Sequence, residues 1–469
     1  MHSRKSATRC GRGAEVVAEE LETLVEQRDA LASGAVSSVE LVERALRRIE
    51  ETSPLSAFLT VVGERALAEA RAHDASGGGS GALAGVPIAV KDLEDTKGVR
   101  TTYGSLRFVQ NVPTADSEVV ARLRRAGAVI VGKTNTPAFG LLSETKNRLG
   151  PPCANPHDPT RTAGGSSGGS AVAVATGAVA LATGSDAAGS INVPASFCGV
   201  VGMKPTVGLV PHVPASTSLL ALISVGPLTR TVEDAAVALD VMAGYDSRDP
   251  MSRPSRAPRY REAALAPLTP GLRVAWSTVA GGALADHEVA RATAQAAAQL
   301  AAEGCAVVED APTLEDPMSL YLDLYVTDAR QAGFRDPATW EELYPESLAE
   351  LRDRPALTGE EYAAVLNRWW RYRGAWVEFF TRYDLLVVPT TACTAFVHDQ
   401  MPHTLGGRPV EPVWTTWMPF TPLFNMTGQP CASVPLAKDR DGLPIGVMVV
   451  GPPGGDERVL AGARALLGR

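Results

Sequence analysis

The chain has 469 residues, 45% apolar and 20% charged, a balance that excludes disorder for the bulk of it. A formal net charge of −8 argues against a surface built to bind the phosphate backbone of a nucleic acid, so no nucleic-acid partner is expected. The six cysteines form no CxxC pair and the seven histidines no HxH or HxxxH pair. Neither a disulfide scaffold nor a metal site of local ligands is therefore expected, and a reducing cytoplasm is the simple reading.

Residues 1–14 carry Arg4, Lys5, Arg9 and Arg12 with no apolar stretch behind them. They read as a disordered tail, not a secretory signal. Residues 15–53 read as two helices, with Leu41, Val42, Ala45, Leu46 and Ile49 at helical spacing and Ser38 as the cap before Glu40. A short strand is predicted at 58–62, an Ala-rich helix at 64–73, and a compact apolar strand at 86–90 that ends in Lys91 and Asp92. A helix at 117–127 leads into a strand at 128–132. The run 170–184, mostly Ala and Val, reads as a buried helix between Gly/Ser-rich stretches at 164–170 and 184–190. No run approaches the ~20 apolar residues of a membrane span, so no membrane partner is expected. Helix–strand alternation continues at 231–243, 272–276, 286–303 and 306–309. Residues 315–380 read as helical and hold Trp340, Trp369, Trp370 and Trp376, the last three at a spacing compatible with one face. Strands at 385–388, 432–434 and 446–450 and a helix at 457–467 close the chain. This order predicts an α/β architecture.

Two short motifs mislead. GAVIVGKT at 127–134 matches the phosphate-loop pattern GxxxxGK[ST]. Its four variable residues are β-branched or apolar and form a strand, not a loop of inward N–H groups. GGSSGG at 164–169 matches GxSxG with Ser166 or Ser167 at the centre. A nucleophile elbow needs an apolar strand before it, and residues 157–163 are polar and contain proline. A third reading joins both Gly/Ser stretches to Lys91. A serine nucleophile without histidine needs another base, and a lysine serves only when neutral. Lys91 follows a strand expected to be buried, where desolvation lowers a lysine pKa.

The segments GVPIAVKD (85–92), AGAVIVGKTNTPAFG (126–140), AGGSSGGSAVAVATG (163–177), TGSDAAGSINVPASFCGVVGMKPTVG (183–208) and GPLTRTVEDAAVALDVMAG (226–244), with TGQPCASVPL and GLPIGVMVVG near the C-terminus, resemble the amidase signature family. Bacterial amidases, aryl acylamidases and urethanases belong to it. Length alone allows about three domains. The resemblance runs from about residue 20 to the C-terminus with no linker, which implies one domain over 15–469. The implied fold is a twisted mixed β-sheet with helices on both faces.

The resemblance also implies a Ser–cis-Ser–Lys triad for cleaving amide-like bonds. Ser190 would be the nucleophile, Ser166 the bridging serine at a cis peptide, and Lys91 the base. The backbone N–H groups of Ala187, Ala188, Gly189 and Ser190 would form the oxyanion hole, with Ser185, Asp186 and Ser167 in support. No metal or cofactor is implied. Among the departures from the family's usual Gly-Thr-Asp-Thr/Ile-Gly-Gly-Ser-Ile-Arg, Ser185 replaces Thr, Ala188 replaces Gly, and Asn192 replaces Arg. Without that arginine no bidentate carboxylate clamp remains there. The expected substrate is therefore a small amide, anilide or carbamate that is neutral around the scissile bond. Leu141, Leu142, Asn192, Trp414, Trp417, Met418 and Phe424 occupy segments that look like pocket walls in relatives. A homodimer is the assembly expected. The alternatives are an ammonia-supplying component of an amidotransferase and an inactive member with a binding role.

Overall fold

The computed structural model describes residues 18–79, 81–215, 220–253, 259–312, 314, 317–331 and 343–468. The tail expected at 1–14, and Trp340, lie outside these residues.

The helices Leu24–Ser33 and Ser38–Glu51 each open with a capping box, Thr23 with Glu26 and Ser37 with Glu40. The cap is therefore Ser37, one residue before the serine expected. Ser38 is buried, and its hydroxyl donates to Gly85 O at 2.7 Å, which ties this helix to the loop before the next strand.

The strands are β1 (Phe58–Val61), β2 (Pro87–Lys91), β3 (Val129–Thr134), β4 (Leu181–Asp186), β5 (Val201–Lys204), β6 (Ser224–Thr229), β7 (Arg273–Trp276), β8 (Ala306–Glu309), β9 (Leu385–Pro389), β10 (Thr404–Leu405), β11 (Arg408–Pro409), β12 (Cys431–Lys438) and β13 (Pro444–Val450). All but β10 and β11 join one sheet in the order β1-β3-β2-β4-β6-β5-β12-β13-β9-β7-β8. The pairs β2/β3, β2/β4, β7/β8 and β7/β9 are parallel. The other pairs are antiparallel, so the sheet is mixed.

Both faces of the sheet are covered, which is why its inner strands are continuous apolar runs. Ile88, Val90 and Ile130 point to one core with Val119, Leu239, Ala296 and Leu460 from the helices on that side. Ala89, Val129 and Val131 alternate to the other face, against Val42, Ala66 and Val172. Further along, Leu386, Val388 and Met448 meet an aromatic core that contains Trp376, Phe379, Trp417 and Phe424.

Two expectations are corrected here. The run 170–184 is not one helix. The helix Gly168–Ala175 stops, the chain turns through Gly177 at φ +73°, and β4 begins at Leu181. The central strands β5 and β6 were not legible, since VGMK and SVGPLT mix Gly, Pro and polar residues. The helix Gly359–Arg382 does not present three tryptophans on one face. Trp369 and Trp376, two turns apart, are buried, whereas Trp370 lies about 100° round the helix from Trp369 and is 60% exposed. Among the described residues no helix is long and apolar enough to cross a membrane.

Candidate active site

The parallel strands β2 and β4 end side by side. Ala89 pairs with Ala182, so the last residue of β2, Lys91, arrives beside the 184–186 end of β4. The period of two puts Lys91 on the same face as Ala89, the face that carries the helix Gly168–Ala175. Strand ends of this kind, where loops leave a sheet, are the usual place for ligand chemistry in α/β folds.

Lys91 is fully buried. Its Nζ lies 2.8 Å from Ser166 Oγ, 3.1 Å from Ser185 Oγ and 3.2 Å from Ser185 O. Its N–H donates to Thr183 Oγ1 at 2.9 Å, which locks the strand end against β4. Burial pulls the Lys91 pKa down to about 7, against the opposing fields of Asp186 and Glu94. A substantial fraction of this lysine is therefore neutral near pH 7.

The Gly165–Ser166 peptide is cis, and Ser166 precedes the helix Gly168–Ala175. Gly165 lies so close to the backbone of Glu144 that a Cβ there would meet Glu144 C at 2.8 Å, so only glycine fits. The neighbouring Ser167 is buried, and its N–H donates to Ser190 O at 3.1 Å. This bond joins the two Gly/Ser-rich loops. Among the described residues no hydrogen bond links Ser166 Oγ to Ser190 Oγ, but both serines line one chamber.

Asp186 folds the loop that carries Ser190. Its carboxylate accepts from Gly189 N at 2.6 Å, Ile191 N at 2.7 Å and Asn425 Nδ2 at 2.9 Å. The carbonyls of the loop are held from the far side: Tyr321 donates to Ala187 O at 3.2 Å and Thr421 to Ala188 O at 2.6 Å. A peptide N–H points opposite to its carbonyl, so these contacts also aim the N–H groups of Ala188 and Gly189. The Gly189 N–H is then spent on Asp186, which removes it from the oxyanion donors expected from the sequence. The N–H groups of Ala187, Ala188 and Ser190 find no acceptor among the described residues. Gly189 sits at φ +125°, and a Cβ there would meet Thr421 Oγ1 at 2.2 Å.

Ser190 is half-buried and faces two chambers. The smaller, open to solvent, spans about 480 Å³ and is walled by Leu141, Leu142, Tyr321, Trp414 and Met418 beside Ala188. The larger, also open to solvent, spans about 1110 Å³ and is lined by Ser166, Ser185, Glu94, Tyr103 and Asp328, among others. Of the residues expected at the pocket walls, Leu141, Leu142, Trp414 and Met418 line the smaller chamber.

Asn192, Trp417 and Phe424 do not; each is fully buried and lines neither chamber. Trp417 stacks on Phe197 with centroids 5.6 Å apart, and Phe424 packs edge-on against Trp376 at 5.2 Å. Asn192 accepts from Ser433 N at 3.1 Å and donates to Cys431 Sγ at 3.3 Å, which ties the helix Asn192–Cys198 to β12. Asn192→Ala is expected to lower unfolding free energy by ~1–3 kcal/mol, since it leaves the buried Ser433 N–H unpaired. The ratio of rates on neutral and carboxylate-bearing amides should not change. A changed ratio in steady-state assays would return Asn192 to the pocket.

Sequence reasoning missed Glu94, Tyr103, Thr183, Tyr321, Thr421 and Asn425. Only Glu94 carried a usable signal, as an acidic residue one turn past the lysine at the end of an apolar strand. The others come from segments distant in sequence that the fold alone brings in.

The amidase family profile matches residues 40–460. The chain is 35% identical over 438 residues to an acylamidase of Rhodococcus erythropolis, covering 90% of each chain. It is 36% identical over 463 residues to a glutamyl-tRNA(Gln) amidotransferase subunit of Synechococcus sp. (strain RCC307), covering 92% of this chain and 94% of that one. It superposes on a bacterial aryl acylamidase of the amidase signature family with a TM-score of 0.85 and 26% identity, over 95% and 96% of the two chains. The fold and these matches define a hydrolase of amide C–N bonds. The chain belongs to the amidase family.

Proposed function

We propose that this amidase cleaves small amides, anilides or carbamates that are neutral around the scissile bond, through an acyl-enzyme on Ser190. The observation that carries this reading is the 2.8 Å contact between Ser166 and a fully buried lysine that is part-neutral at pH 7. Neutral Lys91 takes the Ser166 proton as Ser166 takes that of Ser190, and Ser190 Oγ bonds to the carbonyl carbon. Catalytic hydrogen bonds often tighten only once substrate is bound, and the Ser166–Ser190 link belongs to that step. The N–H groups of Ala187, Ala188 and Ser190 receive the oxyanion, each worth on the order of 3 kcal/mol in the transition state. The proton returns through Ser166 to the leaving nitrogen as the C–N bond breaks. Water then attacks the ester and releases the acid and free Ser190.

The apolar and aromatic wall of the smaller chamber suits an aryl or alkyl group of the substrate. Trp414→Ala is expected to lower kcat/KM on aromatic substrates by ~10-fold, with a smaller loss on acetyl analogues. Equal losses on both in steady-state assays would remove Trp414 from recognition.

A second reading, a component of an amidotransferase that works with partner chains, is favoured by the 36% identity to the glutamyl-tRNA(Gln) amidotransferase relative. Against it, no lysine or arginine among the described residues lines either chamber to hold a glutamine carboxylate. A screen of p-nitroanilides, anilides and aryl carbamates beside glutamine and malonamate separates the two. Turnover of the neutral compounds supports the proposal, and strong preference for glutamine or malonamate rejects it. We also infer a cytoplasmic enzyme that acts without nucleic acid and assembles as a homodimer. The first two follow from the negative net charge and the cysteine pattern, and size-exclusion chromatography with light scattering tests the last.

A further inference from the structure

The two chambers differ in their relation to the proton path and in charge. Ser166 lines the larger chamber and not the smaller. If Ser166 returns the proton to the leaving nitrogen, as proposed above, that nitrogen must sit in the larger chamber. The acyl group then falls on the oxyanion-loop side, in the smaller one.

The larger chamber is acidic. Glu94, Asp186 and Asp328 line it beside His212, and no lysine or arginine among the described residues does. Asp186 is spent on the Ser190 loop, and Glu94 is the better placed of the other two to recognise a ligand. It is 7% exposed, and its carboxylate has no hydrogen-bond partner among the described residues. Its backbone is fixed at both ends: its N–H donates to Lys91 O at 3.0 Å, and its carbonyl accepts from the buried Lys133 Nζ at 2.5 Å. Lys91 and Lys133 feel the field of its carboxylate, but neither forms an ion pair with it. The carboxylate faces the chamber rather than dry protein, and a cationic ligand group would meet it there in a charge-assisted hydrogen bond. Beside it stand the rings of Tyr103 and Phe139. The Tyr103 hydroxyl is anchored on Asp95 at 2.6 Å, and both rings pack edge-on against Phe108. Aromatic faces next to a carboxylate attract alkylammonium groups.

We propose that the larger chamber is a leaving-group subsite for an amine that carries a second, protonated nitrogen, so that N-acylated diamines are preferred substrates and Glu94 selects the ammonium. The inference rests on the hydrolytic reading for its direction, acyl group on one side and amine on the other. Its charge preference rests on the chamber alone.

The test uses three amides with one acyl group, prepared in a benzoyl and a hexanoyl series. The amine arms are 4-aminobutyl, the near-isosteric neutral pentyl, and 3-carboxypropyl. Wild type should favour the aminobutyl over the pentyl amide by ~10-fold or more in kcat/KM, the range of one charge-assisted hydrogen bond, and turn over the carboxypropyl amide least. In Glu94→Gln the aminobutyl-to-pentyl ratio should fall towards 1. Calorimetric binding of the same amides to the full-length Ser190→Ala protein should show the same order without turnover. Hydrolysis of all three with no preference for the aminobutyl arm, or a ratio unmoved by Glu94→Gln, overturns the subsite and leaves the hydrolytic reading standing. Preferential binding of the aminobutyl amide with no hydrolysis of any amide does the reverse. No binding of any of the amides overturns the subsite.

Discussion

Ser190→Ala is expected to abolish amide hydrolysis, with kcat falling by ~10⁴-fold or more, because the proposed nucleophile, Ser190 Oγ, is gone. Substrate binding should survive, since Ser190 is one residue in walls that Gly140, Leu141, Ala187 and Tyr325 also build. The loop is held by Asp186, Tyr321, Thr421 and Asn425, none of which bonds to Ser190 Oγ. The variant should therefore keep its unfolding free energy within ~0.5 kcal/mol of the wild type, as expected where no buried partner is orphaned. Single-turnover assays beside a denaturation curve separate loss of chemistry from loss of fold. Residual turnover within ~10-fold of the wild type would remove Ser190 from the nucleophile's role.

Lys91→Ala carries the second large effect, a fall of ~10²–10⁴-fold in kcat/KM from loss of general-base chemistry. The wild-type pH profile gives the sign. In the proposed mechanism the active form is the neutral amine, and burial has lowered the Lys91 pKa to about 7. Activity should rise about tenfold per pH unit below 7 and level off above it. A lysine that acted as a protonated donor would give the opposite slope, a profile that falls as pH rises through 7. The profile of Lys91→Ala should lose this limb. A rising limb near pH 7 that persists in the variant would assign it to another group.

Much of the sheet is legible from hydrophobic runs. PIAVK, VIVGKT, LLVVP and PIGVMVV are buried at every position and flanked by turn residues, so pattern alone finds β2, β3, β9 and β13. The segment 168–229 is harder, because the site imposes its own composition. Gly165 and Gly189 are required by close approach and by positive φ, and β5 and β6 contain glycine and proline that dilute the strand pattern. Tertiary contacts decide the rest. Asn192, in place of a charged residue, suggested a pocket position, yet its amide is used up on β12. The Gly189 N–H suggested an oxyanion donor, yet Asp186 takes it. Trp417 and Phe424 are aromatic neighbours of the site in sequence, but both turn into the core around Phe197 and Trp376. Local sequence does not encode which of two faces a side chain takes when helices cover both.

The proposed mechanism makes Ser190 the nucleophile and Lys91, through Ser166, its base. The most direct measurement is peptide mapping by mass spectrometry after treatment with an arylsulfonyl or phenylmethanesulfonyl fluoride. One adduct is expected, on Ser190, absent from Ser190→Ala and formed faster as pH rises through 7. An adduct on Ser167, or labelling that persists in Ser190→Ala, would contradict it.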